Sequence, residues 1–168
     1  MYNVIGMRIR GFTLVELMIT IGIVAILSSM LYSIGPSSRQ FARDSRRKAD
    51  LEQIRSGLEL YRSSNGQYPA CNPALSAGCL MTSASVPQLS SGYLSSIPGD
   101  PVSGRTYAYK PWDVSGGGCN DTGSDKCVTY TLCAALEKVT TPVTVGVCAS
   151  ISNPCGSGVS CSLAVSNP

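Results

Sequence analysis

The feature that most constrains this chain is a run from Leu17 to Ser38 that contains no charged residue. A helix needs about 20 consecutive apolar residues to cross a bilayer, and this run is about that long. It exceeds the apolar core of a cleaved secretory signal, which is about 7–15 residues long, and no convincing signal-peptidase site follows it. We therefore expect a membrane-spanning helix that the protein retains.

Glu16 lies at the N-terminal end of this apolar segment. A carboxylate in a membrane segment is costly, and such residues usually have a functional partner. Arg8 and Arg10 precede it, and basic flanks of this kind stay on the cytoplasmic side. The sequence therefore predicts that Glu16 has a role beyond membrane insertion.

The residues from Gly11 to Ile19 resemble the prepilin signature, in which a basic leader is followed by Gly, Phe, three residues, Glu and an apolar helix. Type IV pilins, type II secretion pseudopilins and competence pseudopilins share this signature. The resemblance implies that a membrane aspartyl peptidase cuts between Gly11 and Phe12 and methylates the new N-terminus. It also implies that Glu16 meets the N-terminal ammonium of a neighbouring subunit during assembly. The alternative is that Glu16 snorkels to the lipid interface and pairs with nothing.

These features divide the chain into a leader at residues 1–11, a transmembrane and filament-core helix at 12–36, and an extracytoplasmic head at 37–168. Met1 and Met7 are both candidate starts of the leader. Gly35 and Pro36 predict a kink or local break in the helix, because proline removes a backbone hydrogen bond and clashes with the preceding turn. The alternative is that this pair simply ends the membrane helix.

Within the head we expect an amphipathic helix at residues 37–65, an αβ-loop at 66–104, and a β-sheet with a Cys-rich C-terminal region at 105–168. The helix carries an apolar stripe with spacings of three and four residues, formed by Leu51, Ile54, Leu58 and Tyr61. Segments 65–69 and 93–101 resemble the αβ-loop of major pseudopilins and some related pilins. Strands are predicted at 105–110, 127–136 and 143–149. The predicted fold class is α+β: a long N-terminal α-helix, half apolar and half amphipathic, packed on a small, disulfide-rich antiparallel β-sheet head.

Eight cysteines follow the predicted helix, and the chain has no histidine. Zinc sites usually have closely spaced cysteine pairs or histidine partners, so disulfides are the better interpretation. Disulfides persist in oxidising compartments, which indicates an exported head. We expect local pairing: Cys71–Cys79, Cys119–Cys127, Cys133–Cys148 and Cys155–Cys161.

A basic cluster follows the apolar run and consists of Arg39, Arg43, Arg46, Arg47 and Lys48. A solvated helix face is the favoured interpretation. The alternatives are contact with anionic lipid or with acidic patches on neighbouring subunits, and non-specific nucleic-acid binding. We predict no specific nucleic-acid partner, because no interleaved aromatic residues accompany the charges.

The segment from Cys119 to Asp125 is rich in side-chain oxygens around a central glycine, a pattern that can wrap Ca²⁺. Major pseudopilins are similar in carrying a calcium site in a C-terminal loop. Asp121 and Asp125 are the only carboxylates that this segment supplies, and it lacks the bidentate Glu of an EF-hand. An ordinary polar turn is therefore favoured over a structural Ca²⁺ site, and no other cofactor is expected.

We do not expect an enzyme, because the chain lacks histidine, a P-loop and a Rossmann glycine fingerprint. The favoured function is a structural subunit of a type IV pilus or pilus-like filament that polymerises through its N-terminal helix. The first alternative is the major pseudopilin of a type II secretion system; the second is a membrane-anchored binding domain that never polymerises. The expected partners are further copies in a helical filament, the prepilin peptidase, an inner-membrane assembly platform, and membrane lipid before assembly. The protein would start in the membrane and end in a cell-surface or periplasmic filament.

Overall fold

The computed structural model describes residues 11–72, 78–120, 125–139 and 154–167, with only the backbone considered at 32–36. The chain divides into two compact units, residues 1–39 and residues 40–168, and each is described by itself. Helix α1 contains residues of both units and extends from Leu14 to Asn65.

In the first unit, α1 begins directly after Thr13. The Thr13 side-chain oxygen accepts a hydrogen bond from the Glu16 backbone N–H at 3.2 Å, so this threonine caps the first turn. A threonine followed three residues later by glutamate is a common pattern at helix N-termini. The local sequence therefore fixes the helix start just beyond the predicted cleavage site.

The α1 assignment continues through Gly35 and Pro36 without interruption. The local break that the sequence predicts is therefore not present, and the helix does not end at this pair. A kink at Pro36 stays a prediction.

In the second unit, α1 buries the predicted apolar stripe. Leu51, Ile54 and Leu58 are at most 1% exposed, and Tyr61 is 9% exposed. Gly57 lies on the same part of the helix, and a Cβ built there would come within 2.6 Å of the Leu94 side chain. The small residue thus lets the loop between helix and sheet pack closely against α1.

The head contains a four-stranded antiparallel sheet in the order β1-β2-β3-β4. Its described elements are strand β1, the short helix α2, and strands β2, β3 and β4, at Cys79–Leu80, Pro87–Ser90, Ala108–Trp112, Thr129–Ala134 and Leu163–Ser166. The predictions at 105–110 and 127–136 correspond to β2 and β3. The sequence analysis missed β1 and β4, and the predicted strand at 143–149 lies outside the described residues.

The two faces of the sheet contribute to separate cores. Alternate residues such as Tyr109, Tyr130 and Leu132 belong to the apolar cluster that includes the α1 stripe. On the opposite face, Ala108 and Cys133 pack in a smaller cluster with the C-terminal cysteines. This alternation follows from the two-residue period of a strand.

Three of the predicted disulfides are formed, at Cys71–Cys79, Cys119–Cys127 and Cys155–Cys161. Cys133 is also disulfide-bonded, and its predicted partner, Cys148, lies outside the described residues. The bridges close short loops around the sheet. Such staples suit a small domain, whose apolar cores bury little surface.

Candidate assembly segment and the head that it carries

The predicted processing site is accessible in the structure. Gly11 is exposed and lies in irregular chain before α1, with open space where a Cβ would be placed. Phe12 is 76% exposed. A peptidase could reach this bond without unwinding the helix. The leader residues 1–10, including Arg8 and Arg10, lie outside the described residues.

Glu16 is exposed in the first turn of α1. Within the described part of the chain, its carboxylate forms no ion pair. Its backbone N–H donates to the Thr13 side-chain oxygen, so this contact does not involve the carboxylate. This placement agrees with the predicted role in assembly, which itself stays a prediction.

No other described residue of the subunit covers the apolar surface that follows Glu16. None of the residues of Leu14–Leu31 is buried. Its length and composition suit a single membrane crossing. A helix that is apolar all round must be surrounded by lipid or by other apolar helices.

The basic cluster is not a uniformly solvated helix face. Arg47 is 0% exposed, which overturns the favoured interpretation for this residue. Its guanidinium donates from Nε to Asp100 Oδ2 at 2.7 Å and from Nη2 to Asp100 Oδ1 at 2.9 Å. Nη1 donates to Asp44 and to Glu137, at 2.8 and 2.9 Å. One arginine therefore joins α1 to the αβ-loop and to the chain after β3.

The surrounding carboxylates are held in their ionised form. The Arg43 guanidinium, hydrogen-bonded to Glu137, lowers the pKa of that carboxyl to about 2 against the opposing effect of desolvation, and Arg47 adds to the lowering. Burial by itself would raise the pKa of Asp44, but the backbone N–H groups of Glu137 and Lys138, together with Arg47, lower it. Arg43 and Arg47 are thus engaged inside the head.

A second set of polar contacts joins α1 to the sheet through tyrosines. Tyr107 donates its hydroxyl to Asp50 at 2.7 Å, and Tyr68 donates to Glu59 at 2.9 Å. Burial, followed by the hydrogen bond to Asp50, raises the pKa of Tyr107 above its usual value. These hydroxyls give two carboxylates on α1 hydrogen-bond donors from the rest of the head, which offsets part of their desolvation.

The predicted calcium loop is only partly described. Asp121 lies outside the described residues, and the Asp125 carbonyl accepts a hydrogen bond from the Asn120 N–H at 3.1 Å. Among the described residues there is no group of three or more carboxylates or cysteines that could hold a metal. Calcium binding stays a prediction, and a shift of Tm between Ca²⁺ and a chelator would reveal it.

Comparisons with known proteins place these features in a family. The sequence profile of the prokaryotic N-terminal methylation motif matches residues 6–32. The profile of type II secretion system protein G matches residues 37–123, more than half of the chain. The chain belongs to the type II secretion system protein G family. No solved structure matches it.

Curated relatives carry the same description. The type II secretion system core protein G of Klebsiella michiganensis is 33% identical over 61% of this chain and 74% of its own length. That of Pectobacterium carotovorum is 31% identical over 60% of this chain and 66% of its own length. That of Escherichia coli is 29% identical over 55% of this chain and 66% of its own length.

The family assignment confirms the resemblance to pilins and pseudopilins and changes the order of the functional interpretations. The type II secretion pseudopilin, given above as the first alternative, fits the relatives better than the favoured type IV pilus subunit, whose family is only related. Protein G is a structural subunit, not an enzyme. The apolar N-terminal helix and the family together indicate a membrane-anchored protein that enters a periplasmic filament.

Proposed function

We propose that this protein is the major pseudopilin of a type II secretion system, processed after Gly11, N-methylated at Phe12 and polymerised through the first half of α1. The observation that carries the proposal is the unburied apolar helix at Leu14–Leu31, with an unpaired carboxylate at its start and a head of the protein G family attached. In lipid, this helix is solvated by acyl chains. In a filament, the same surface is buried against equivalent helices of other copies.

Glu16 has a specific role in this proposal. Cleavage creates an ammonium group at Phe12, and each subunit then carries one positive and one negative group in an otherwise uncharged segment. Opposite charges attract strongly in a medium of low dielectric constant, and either charge left unpaired there is penalised. Pairing between neighbouring copies therefore favours one axial offset and sets the register of the filament.

Single substitutions test the two steps separately. Gly11→Leu is expected to leave uncut precursor in the membrane, while Ile9→Leu, a control that lies within the leader for either start, is expected to be cut normally. Glu16→Val is expected to be cut but to assemble poorly. Glu52→Val is its matched control, because Glu52 is also an exposed acid on α1 but lies in the head. Normal filaments from both Gly11→Leu and Glu16→Val would refute the proposal.

A secretion assay tests the proposed system. Deleting the gene for this protein is expected to trap folded exoproteins in the periplasm. The wild-type gene is expected to restore their release, and a gene that encodes Glu16→Val is not. In this proposal, polymerisation also requires an assembly platform in the inner membrane as a partner. Unchanged exoprotein release combined with a loss of surface pili would instead support the type IV pilus interpretation.

A further inference from the structure

Phe41 is an exposed aromatic residue on the part of α1 that belongs to the head. Its side chain is 63% exposed, whereas the apolar stripe of the same helix is buried. The Lys138 Nζ lies 5.9 Å from the centre of its ring, and Val139 beside that lysine is 40% exposed. Lys48 is exposed and lies seven residues, or two helical turns, after Phe41, which places both on one face of the helix. We call Phe41, Lys48, Lys138 and Val139 the Phe41 patch.

The acidic groups nearest to this patch do not offset its charge. Asp44 and Glu137 have side-chain exposures of 9% and 11% and are occupied by the buried Arg47 guanidinium. Glu52, further along the same flank, lies 3.7 Å from Arg55. Neither Lys48 nor Lys138 forms an ion pair with any described residue. The Phe41 patch therefore presents two lysines and two apolar side chains to its surroundings.

Chain connectivity keeps this patch near a bilayer. The candidate membrane span ends at Leu31, ten residues before Phe41. Even fully extended, ten residues reach no more than about 36 Å. Aromatic residues combined with lysines are typical of surfaces that lie at the membrane interface, where the ring enters the headgroup region and the cations meet anionic lipids.

We propose that, before assembly, the Phe41 patch docks the head onto anionic phospholipid headgroups of the membrane that holds the N-terminal helix. This contact is additional to the membrane span and to the proposed filament contacts. Docking orders the head on the membrane surface, and the contact must be released when the subunit leaves the bilayer. It also gives Lys48 a ligand on the side of the membrane where basic residues are usually sparse.

The test uses the full-length protein in vesicles that contain brominated phosphatidylcholine, with or without phosphatidylglycerol. The chain has one tryptophan, Trp112, so Trp112→Phe provides a silent background for Phe41→Trp. We expect the new tryptophan to be quenched strongly in anionic vesicles, weakly in neutral ones, and weakly again in high salt, because salt screens surface charge. Leu60→Trp is the matched control: Leu60 is 52% exposed on α1 without flanking lysines, and it should stay unquenched throughout.

Charge reversal tests the lipid specificity. One lysine beside an anionic surface is worth roughly fivefold in binding, so adding Lys138→Glu should weaken docking by at least about that factor. Lys126→Glu, an exposed lysine elsewhere on the head, serves as the control for net charge and should leave quenching unchanged. Equal quenching in neutral and anionic vesicles would overturn the proposal. A second result would also overturn it. If the tryptophan at position 41 becomes more protected from brominated lipid as the protein-to-lipid ratio rises, in neutral and anionic vesicles alike, a second copy of the protein covers the patch.

Discussion

Among the described residues, Arg47 is the only cation that contacts Asp44, Asp100 and Glu137 together, and replacing it with methionine removes that contact. The guanidinium makes four hydrogen bonds to these carboxylates, at 2.7–2.9 Å, and its side chain is fully buried. Methionine has a similar length but no donor. The substitution therefore leaves Asp44 and Asp100 without the guanidinium that contacts them, whereas Glu137 keeps its hydrogen bonds from Arg43.

The expected loss is large because the remaining charges stay desolvated. The Asp100 side chain is 1% exposed and, among the described residues, would keep the Val102 N–H as its hydrogen-bond donor at 2.8 Å. Removing one member of a buried ion pair typically costs about 3–5 kcal/mol. A small domain has a total stability of about 5–15 kcal/mol, so Arg47→Met should remove a large fraction of it. Arg46→Met is the matched control, because Arg46 is 65% exposed and lies 3.9 Å from Asp50, and it should cost less than about 1 kcal/mol.

The assay is urea unfolding of the disulfide-intact, full-length protein in detergent, followed by near-ultraviolet circular dichroism of the buried tyrosines. A lower midpoint with an unchanged slope would measure the lost stability directly. Asp100→Asn should also destabilise the head, because it removes the bidentate partner of Arg47. An Arg47→Met variant as stable as Arg46→Met would refute the role assigned to this ion cluster.

Three further predictions concern the same head and the same unfolding assay. Tyr107→Phe should cost about 1–3 kcal/mol, because the buried Asp50 carboxylate loses its hydroxyl donor; a loss within experimental error would contradict this. Leu58→Ala should cost about 2–5 kcal/mol through the cavity that it leaves in a fully buried site, and a loss of under about 1 kcal/mol would show that the site collapses. Acid should destabilise the head between about pH 4.5 and pH 2: the folded-state pKa of Glu137 is lowered from 4.5 to about 2, so its contribution is present above the unfolded pKa and disappears as pH falls through the folded one. Stability that is flat across this range would exclude the contribution.

Local patterns were enough to predict the amphipathic part of α1, although not the short helix α2. The three-and-four spacing from Leu51 to Tyr61 identified the buried face of α1, since that spacing places side chains on one side of a helix. The cysteine spacing predicted three pairs that the structure contains. Both patterns connect residues that are close in sequence, where few alternatives compete.

The missed features depend on contacts between distant segments. β1 is only two residues long, and β4 has four, so neither shows a recognisable alternation. The burial of Arg47 could not be predicted from the charges around it, because its partners Asp100 and Glu137 lie 53 and 90 residues away in sequence. The proline at position 36 predicted an interruption that the continuous helix assignment does not contain.

The most direct test of the account is the intact mass and N-terminal sequence of the protein isolated from its host. Processing at the predicted bond yields a chain that begins with N-methylated Phe12 and lacks the residues through Gly11. A mature protein that retains Gly11, or begins at any residue other than Phe12, would contradict the proposed route from membrane to filament.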